Sequence, residues 1–194
     1  DGTFFRGKGD YGRPHPIQSR IPVINAAASE EGRAFAMRNA DFLFTPVFDF
    51  DQAKATVDEI SQKSASVGRD VNVLTFCTVV CRPTQQEAED YLHWYANENA
   101  DWDAVDNLMT LQGMHAQSFT KEALSMFRDR FAAGHGGFPL VGTPDHIADQ
   151  LERLSETGVA GTTLSFVDYA KEFPYFRQEV LPRLEAKGLR QTVS

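Results

Sequence analysis

Residues 21–33 read IPVINAAASEEGR, and this stretch decides the fold. A short apolar run, Ile21 to Ile24, passes through three alanines into Ser29, two carboxylates and Gly32. That order describes a buried strand turning abruptly into a helix. Ser29 is a strong N-cap, because its hydroxyl can accept from a free amide of the first helical turn. The small residues before it let another molecule approach the backbone. The free N–H groups of a helix start, with the positive end of its dipole, can hold a phosphate. Glu30 and Glu31 suit the same dipole but would repel an anion placed close to their side chains. Taken alone, most such turns are ordinary caps, so the neighbouring segments carry the decision.

Outward from this turn, strand and helix patterns alternate. Residues 21–26 are expected as the first strand and 29–39 as the first helix. Residues 41–46, DFLFTP, give a short second strand ended by Pro46. Asp49 caps a helix over 50–67, in which Ala53, Val57 and Ile60 fall at helical spacing and Gly68 marks the stop. Residues 71–81, VNVLTFCTVVC, are apolar on both faces, as a strand covered on both sides must be. Thr84 to Glu87, TQQE, is a capping box opening a helix to about Asn99. Thr143-Pro144 opens another, to about Thr157, with Thr as the cap and Pro at the first helical position. Residues 161–166, GTTLSF, are the fourth strand, and 173–187 the closing helix, kinked at Pro182. Residues 100–142 are the least regular part and read as an insertion before that last strand. Residues 1–20, rich in Gly, Pro and Arg, read as an extended arm in which Pro14 and Pro16 exclude a helix.

This order predicts an α/β fold with a parallel sheet and right-handed crossovers. Four βα units cannot close a barrel, which takes about 250 residues. An open four-stranded sheet would leave long apolar strands with bare edges. The expected architecture is therefore a parallel (β/α) half-barrel, a single incomplete domain over residues 1–194. The start at Asp1, with no Met, reads as the middle of a longer polypeptide.

Composition narrows the function. The 194 residues are 42% hydrophobic and 24% charged, an ordinary globular balance. A net charge of −8 with no basic run gives no electrostatic footprint for nucleic acid or for anionic lipid. No apolar run approaches the roughly 20 residues that span a bilayer. Cys77 and Cys81 lie on one face of a strand, too far apart for an easy disulfide and with no His or Cys nearby to complete a metal site. Buried free thiols and a cytoplasmic location are expected, with no metal.

The segments FFRGKGDYGRPHPIQ, IPVINAAASEEGRAFAMRNADFLF and GFPLVGTPDHIADQLERLSETGVAGTTLSF resemble the second half of the bacterial luciferase-like flavin monooxygenases. The closing segment EFPYFRQEVLPRLEAKGL is similar to the same family's last unit. The resemblance implies a (β/α)₈ barrel whose strands five to eight are those read above, with a mobile lid in the insertion. It implies reduced flavin mononucleotide (FMN), supplied by a separate flavin reductase, and O₂ as co-substrate for a small organic molecule. The relatives that come to hand are of the pyrimidine-cleaving, alkanesulfonate and dimethylsulfone types. It places Ala27, Ala28 and Ser29 at the flavin phosphate, with Gly32 allowing close packing in the first turn. Strands one to four are absent from this chain, and in the family they supply much of the contact to the flavin ring. A companion N-terminal barrel half is therefore expected as a partner, and a homo-oligomer rather than a solitary monomer. A deazaflavin-dependent oxidoreductase on the same fold and a non-catalytic flavin-binding subunit are the alternatives.

The flavin carries the hard chemistry, so no catalytic triad is required, and neither GxSxG nor HExxH occurs. No catalytic residue is assigned. His135, in the run AAGHGGF, is read either as a lid residue near the substrate or as a solvated loop histidine. Phe138, Phe166 and Tyr169 could line an apolar pocket or pack in the core. Ser165 ends a barrel strand, where side chains face the site. His115 reads as packing under the lid, His15 as structural, and His93 and His146 as helix-surface residues. The turn at Thr143-Pro144 is a second candidate anion site.

Overall fold

A computed structural model describes residues 2–9, 17–18, 20–27, 29–114 and 120–191. Five strands form one parallel sheet: β1 (Ile24–Asn25), β2 (Phe42–Phe44), β3 (Asn72–Cys81), β4 (Phe138–Gly142) and β5 (Gly161–Ser165). Seven α-helices connect and cover them: α1 (Glu30–Asn39), α2 (Phe50–Ser66), α3 (Gln85–His93), α4 (Trp102–Leu111), α5 (Lys121–Gly134), α6 (Pro144–Glu156) and α7 (Tyr169–Ala186). A π-helical turn, Trp94–Glu98, prolongs α3.

The ten-residue β3 organises the sheet. Its first three residues pair with β2 and its last five with β4, while β5 pairs with Leu74 to Thr78. The β5 register overlaps both of the others, so β2 and β4 follow one another along one edge of β3 and β5 takes the opposite edge. One strand thus serves three neighbours, and the apolar continuity read in VNVLTFCTVVC is what this position needs.

The two faces of the sheet differ. Val73, Cys77, Val79 and Cys81 of β3 point into the main core, with Leu43 of β2 beside them. Helices α2, α6 and α7 cover that face with Ile60, Ile147, Phe176 and Val180, all fully buried. Burying such a side chain contributes about 1.5–3 kcal/mol. The opposite face carries Ile24, Phe44, Leu74, Phe76 and Thr163, half-buried or exposed. This is the face that would look into a closed barrel.

The helix starts follow their sequence signals. Ser29 accepts from Gly32 N–H at 3.1 Å, Asp49 from Gln52 N–H at 2.7 Å, and Thr84 and Glu87 form a reciprocal capping box. Thr143 caps α6 with Pro144 in its first turn.

Three expectations need correction. The first strand is two residues rather than six. Asp41 takes the Val23 amide on its side chain at 2.8 Å, in place of a ladder bond, and Ile21 is 63% exposed. Residues 100–142 are regular, holding α4, α5 and β4. Gly142 O accepts from Arg82 N–H, so the even-numbered amides of β4 face β3 and the missing N–H of Pro139 lies on the open edge. That placement is why a Gly- and Pro-containing run still forms a strand. Finally, α7 starts four residues early, because Asp168 caps the amides of Ala170 and Lys171.

Candidate functional site

In a parallel sheet every strand ends on the same side, and ligands bind at that side. Three features bear on it. The first is the turn after β1. Ala27 packs on the main core, Ser29 is exposed, and the α1 amides start immediately after it. A Cβ built on Gly32 would lie 2.8 Å from the Ala27 Cβ and 3.1 Å from Ser29 Oγ. The first turn of α1 is therefore pressed against the end of the strand, and only glycine permits it. Ser29 Oγ accepts from Gly32 and keeps its own O–H free to donate to an anion. Ala28 lies outside the described residues.

The second feature is a groove of about 800 Å³ on the inner face. Phe44, Phe48 and Phe76 from the sheet side and Met114 and Phe131 from the insertion form its apolar walls. Phe44 and Phe76 stack at 5.9 Å. Its polar side chains are Gln112, His135, Thr163, Ser165 and Tyr169. Tyr169 O–H lies 3.4 Å from Ser165 Oγ.

The third feature is the cover. Helices α4 and α5 pack on each other through Val105, Met109, Phe127 and Phe131, and Phe48 joins this second core. Phe48 meets Phe127 edge-on at 4.9 Å. Arg128 forks onto Asp106 at 2.6 and 3.0 Å and lies over the Trp102 ring. Three hydrogen bonds tie this hairpin to the body. Arg130 Nη2 donates to Phe48 O at 2.7 Å, Tyr95 O–H to Ala133 O at 2.9 Å, and Thr78 Oγ1 to Gly134 O at 3.2 Å. Burial raises the pKa of the Tyr95 phenol, which keeps it a donor.

His135 ends α5 in the left-handed region, at φ 56°, and is the one such non-glycine among the described residues. Held strain of this kind costs about 1–3 kcal/mol and clusters at functional sites. The imidazole sits 5.4 Å from the Phe131 ring, and its Nε2 is 3.3 Å from Gln112 Nε2.

The sequence-based candidates divide cleanly. His135, Ser165 and Tyr169 come together at the groove. Phe138 does not: it is 5% exposed and packs 5.2 Å from Phe50 in the main core. Phe166 does not either, being 7% exposed in an edge-on cluster with Phe173 and Phe176. Both fall on the helix-covered side of their strands. His93 and His146 are exposed, as read, and His93 approaches Glu98 at 3.4 Å. His15 and His115 lie outside the described residues. Both cysteines are buried and free, and burial pushes each thiol up to about 11. Among the described residues no group of three or more His, Cys, Asp or Glu side chains could hold a metal. None of the described helices is long and apolar enough to cross a membrane.

Residues the sequence reading missed include Phe44, Phe76 and Thr163. A signal existed, since they alternate with the core set Leu43, Cys77 and Leu164 at period two. Gln112 gave no signal, because its place depends on how the α4–α5 hairpin folds back.

A family model described as luciferase-like monooxygenase matches residues 1–161. The chain belongs to that family. It is 30% identical over 200 residues to an FMNH(2)-dependent dimethylsulfone monooxygenase of Pseudomonas fluorescens (strain Pf0-1), covering 96% of this chain and 53% of that protein. Among solved structures it is similar to DmoA from Hyphomicrobium sulfonivorans, with a TM-score of 0.83 at 22% identity, over 100% of this chain and 47% of that one. The long-chain alkane monooxygenase LadA aligns with a TM-score of 0.76, also at 22% identity, over 100% of this chain and 47% of that one. The chain spans about half the length of the relatives it matches.

Proposed function

We propose that this chain is the phosphate-binding half of a reduced-FMN-dependent monooxygenase that inserts one oxygen atom of O₂ into a small organic substrate. The observation that carries the reading is a capped, glycine-tightened turn and an aromatic-walled groove on the same end of one parallel sheet, in a luciferase-like chain. Ala27, Ala28, Ser29 and Gly32 hold the flavin phosphate. Gly32 keeps its turn close to the strand, and the Ser29 hydroxyl and first-turn amides donate to the phosphate oxygens. When bound, the reduced flavin supplies the reactivity toward O₂. The chain's own contribution is to seat it and to keep water out. Phe44, Phe76 and Phe131 make the wall against which ring and substrate lie, and helices α4 and α5 act as the lid.

The inner face and the free edge of β1 are completed by a companion segment supplying the other barrel strands. A separate reductase delivers the flavin, the assembly is a homo-oligomer, and its location is cytoplasmic. The test is reductase-coupled oxygen consumption, measured on the chain alone and with the first barrel half added. Substrate-dependent uptake only in the combined sample supports the enzyme. Flavin binding without turnover in either sample makes the chain a non-catalytic flavin-binding subunit. A bound-cofactor spectrum of deazaflavin type would replace FMN in this reading.

A further inference from the structure

The cover over the groove has a core of its own. Val105, Met109, Phe127 and Phe131 form a cluster that shares no residue with the main core. Among the described residues packed against that cluster, Phe48 alone lies outside residues 100–142. A unit joined to the body by one ring and a few hydrogen bonds sits at the low end of local stability. Arg128, forked onto Asp106 and lying over Trp102, binds α5 to α4, so the two helices move together.

The link from α5 to β4 is built to turn. Gly134, His135 and Gly136 have φ of 157°, 56° and 81°, three consecutive residues in a range that side chains rarely adopt. Thr78, donating to Gly134 O at 3.2 Å, pins this pivot to β3. Just before it, the Ala133 carbonyl accepts from Tyr95 O–H at 2.9 Å. Tyr95 stands on the π-helical turn after α3, with its ring 5.3 Å from that of Tyr91. Arg82 covers Tyr91 at 3.9 Å and is itself held by Glu172 at 2.8 Å. The donor is thus anchored to the body through β3 and α7. Its acceptor is a main-chain carbonyl in the last turn of a helix, with no partner inside the helix to lose. Tyr95 and Ala133 also line a cavity of about 250 Å³, so the bond can break without driving atoms into a packed core.

We propose that α4 and α5 swing as one body about Gly134–Gly137, with the Tyr95–Ala133 hydrogen bond as the latch that keeps the groove covered. Arg130, donating to Phe48 O at 2.7 Å, is the second hold. The inference rests on these helices being the cover described above and on nothing about the flavin.

The test is amide relaxation dispersion on the full 194-residue chain, which reads motion on the microsecond-to-millisecond scale of lids. The expected result is exchange broadening at Gly134, His135, Gly136 and Phe48, with Val79 and Val80 of β3 quiet. Tyr95→Phe keeps the ring and removes the donor, and is expected to raise the open population about two- to tenfold at those same residues. Arg130→Met cuts the second hold and is expected to move the same residues; it carries the test if the first variant does not fold. Broadening that spreads through β3 and α6 would make Tyr95 a general prop and overturn the latch. Quiet pivot amides in all the proteins, or an open population that neither substitution changes, would overturn it too. FMN binding is scored in a separate titration. A chain that binds no flavin yet shows the latched motion refutes the flavin reading and leaves the latch standing.

Discussion

Gly137 lies between the end of α5 and the start of β4, against Thr78 and Phe76 of β3, and replacing it by alanine tests that contact. A Cβ there would lie 2.8 Å from Thr78 Oγ1 and 3.0 Å from the Phe76 ring. Ordinary contact is at least about half an ångström longer. Thr78 is 5% exposed and its hydroxyl donates to Gly134 O at 3.2 Å. If Thr78 rotates to make room, that bond is lost, at about 0.5–1.5 kcal/mol. If it does not, β4 shifts out of register with β3 or the Phe76 ring swings into the groove. Overpacking of this size costs about 1–3 kcal/mol in total. Urea unfolding of the Gly137→Ala chain should show a lower midpoint at unchanged slope. Thr78→Ala removes the nearer of the colliding atoms and leaves the Phe76 ring, so in the double variant part of the Gly137→Ala penalty should vanish, leaving a coupling of about 1 kcal/mol. A midpoint unmoved by Gly137→Ala, or strictly additive penalties, would refute the tight contact of Gly137 with Thr78.

Three other outcomes follow from the same geometry. The Val23 amide first, and then Arg20 and Arg69, hold the Asp41 carboxyl below its ordinary 3.8. The folded value is the depressed one, so the stabilisation is complete above about pH 4–5 and is lost as pH falls through the folded pKa. Asp41→Asn should flatten the acid limb of midpoint against pH, and an unchanged limb would reject the stabilising role of the Asp41 carboxylate. Ser29→Ala should cost about 1 kcal/mol through the lost cap and weaken FMN binding, whereas Ser29→Gly should restore most of the stability but not the affinity. Cys77 and Cys81, buried with thiols pushed up to about 11, should react with a disulfide reagent at pH 8 only as fast as the chain opens. Rates independent of added denaturant would contradict that burial.

Much of the fold was legible because its signals are local. Ser29, Asp49, Thr84 and Thr143 all cap the helices their side chains announce. The apolar run through Val79 and Val80 marked the central strand. What escaped depends on neighbours distant in sequence. Pro139 reads as a strand breaker until its missing amide is found on the open edge of β4. Ile21 and Ile24 read as buried, yet with β2 alone beside β1 they stay exposed. At the site, His135 was legible from its glycine-flanked loop. For Phe138 and Phe166 the sequence left pocket lining and core packing open, because an aromatic at a strand end gives no sign of which face it takes until the register is fixed, and both pack in the core.

The central claim, that the turn after β1 grips a flavin phosphate, is tested most directly by titrating the chain with FMN and following backbone amides. The account predicts the largest shifts at Ser29, Glu30, Glu31 and Gly32, and their loss when riboflavin, which has no phosphate, replaces FMN. Shifts centred instead on Thr143, Asp145 and His146, at the start of α6, would contradict it.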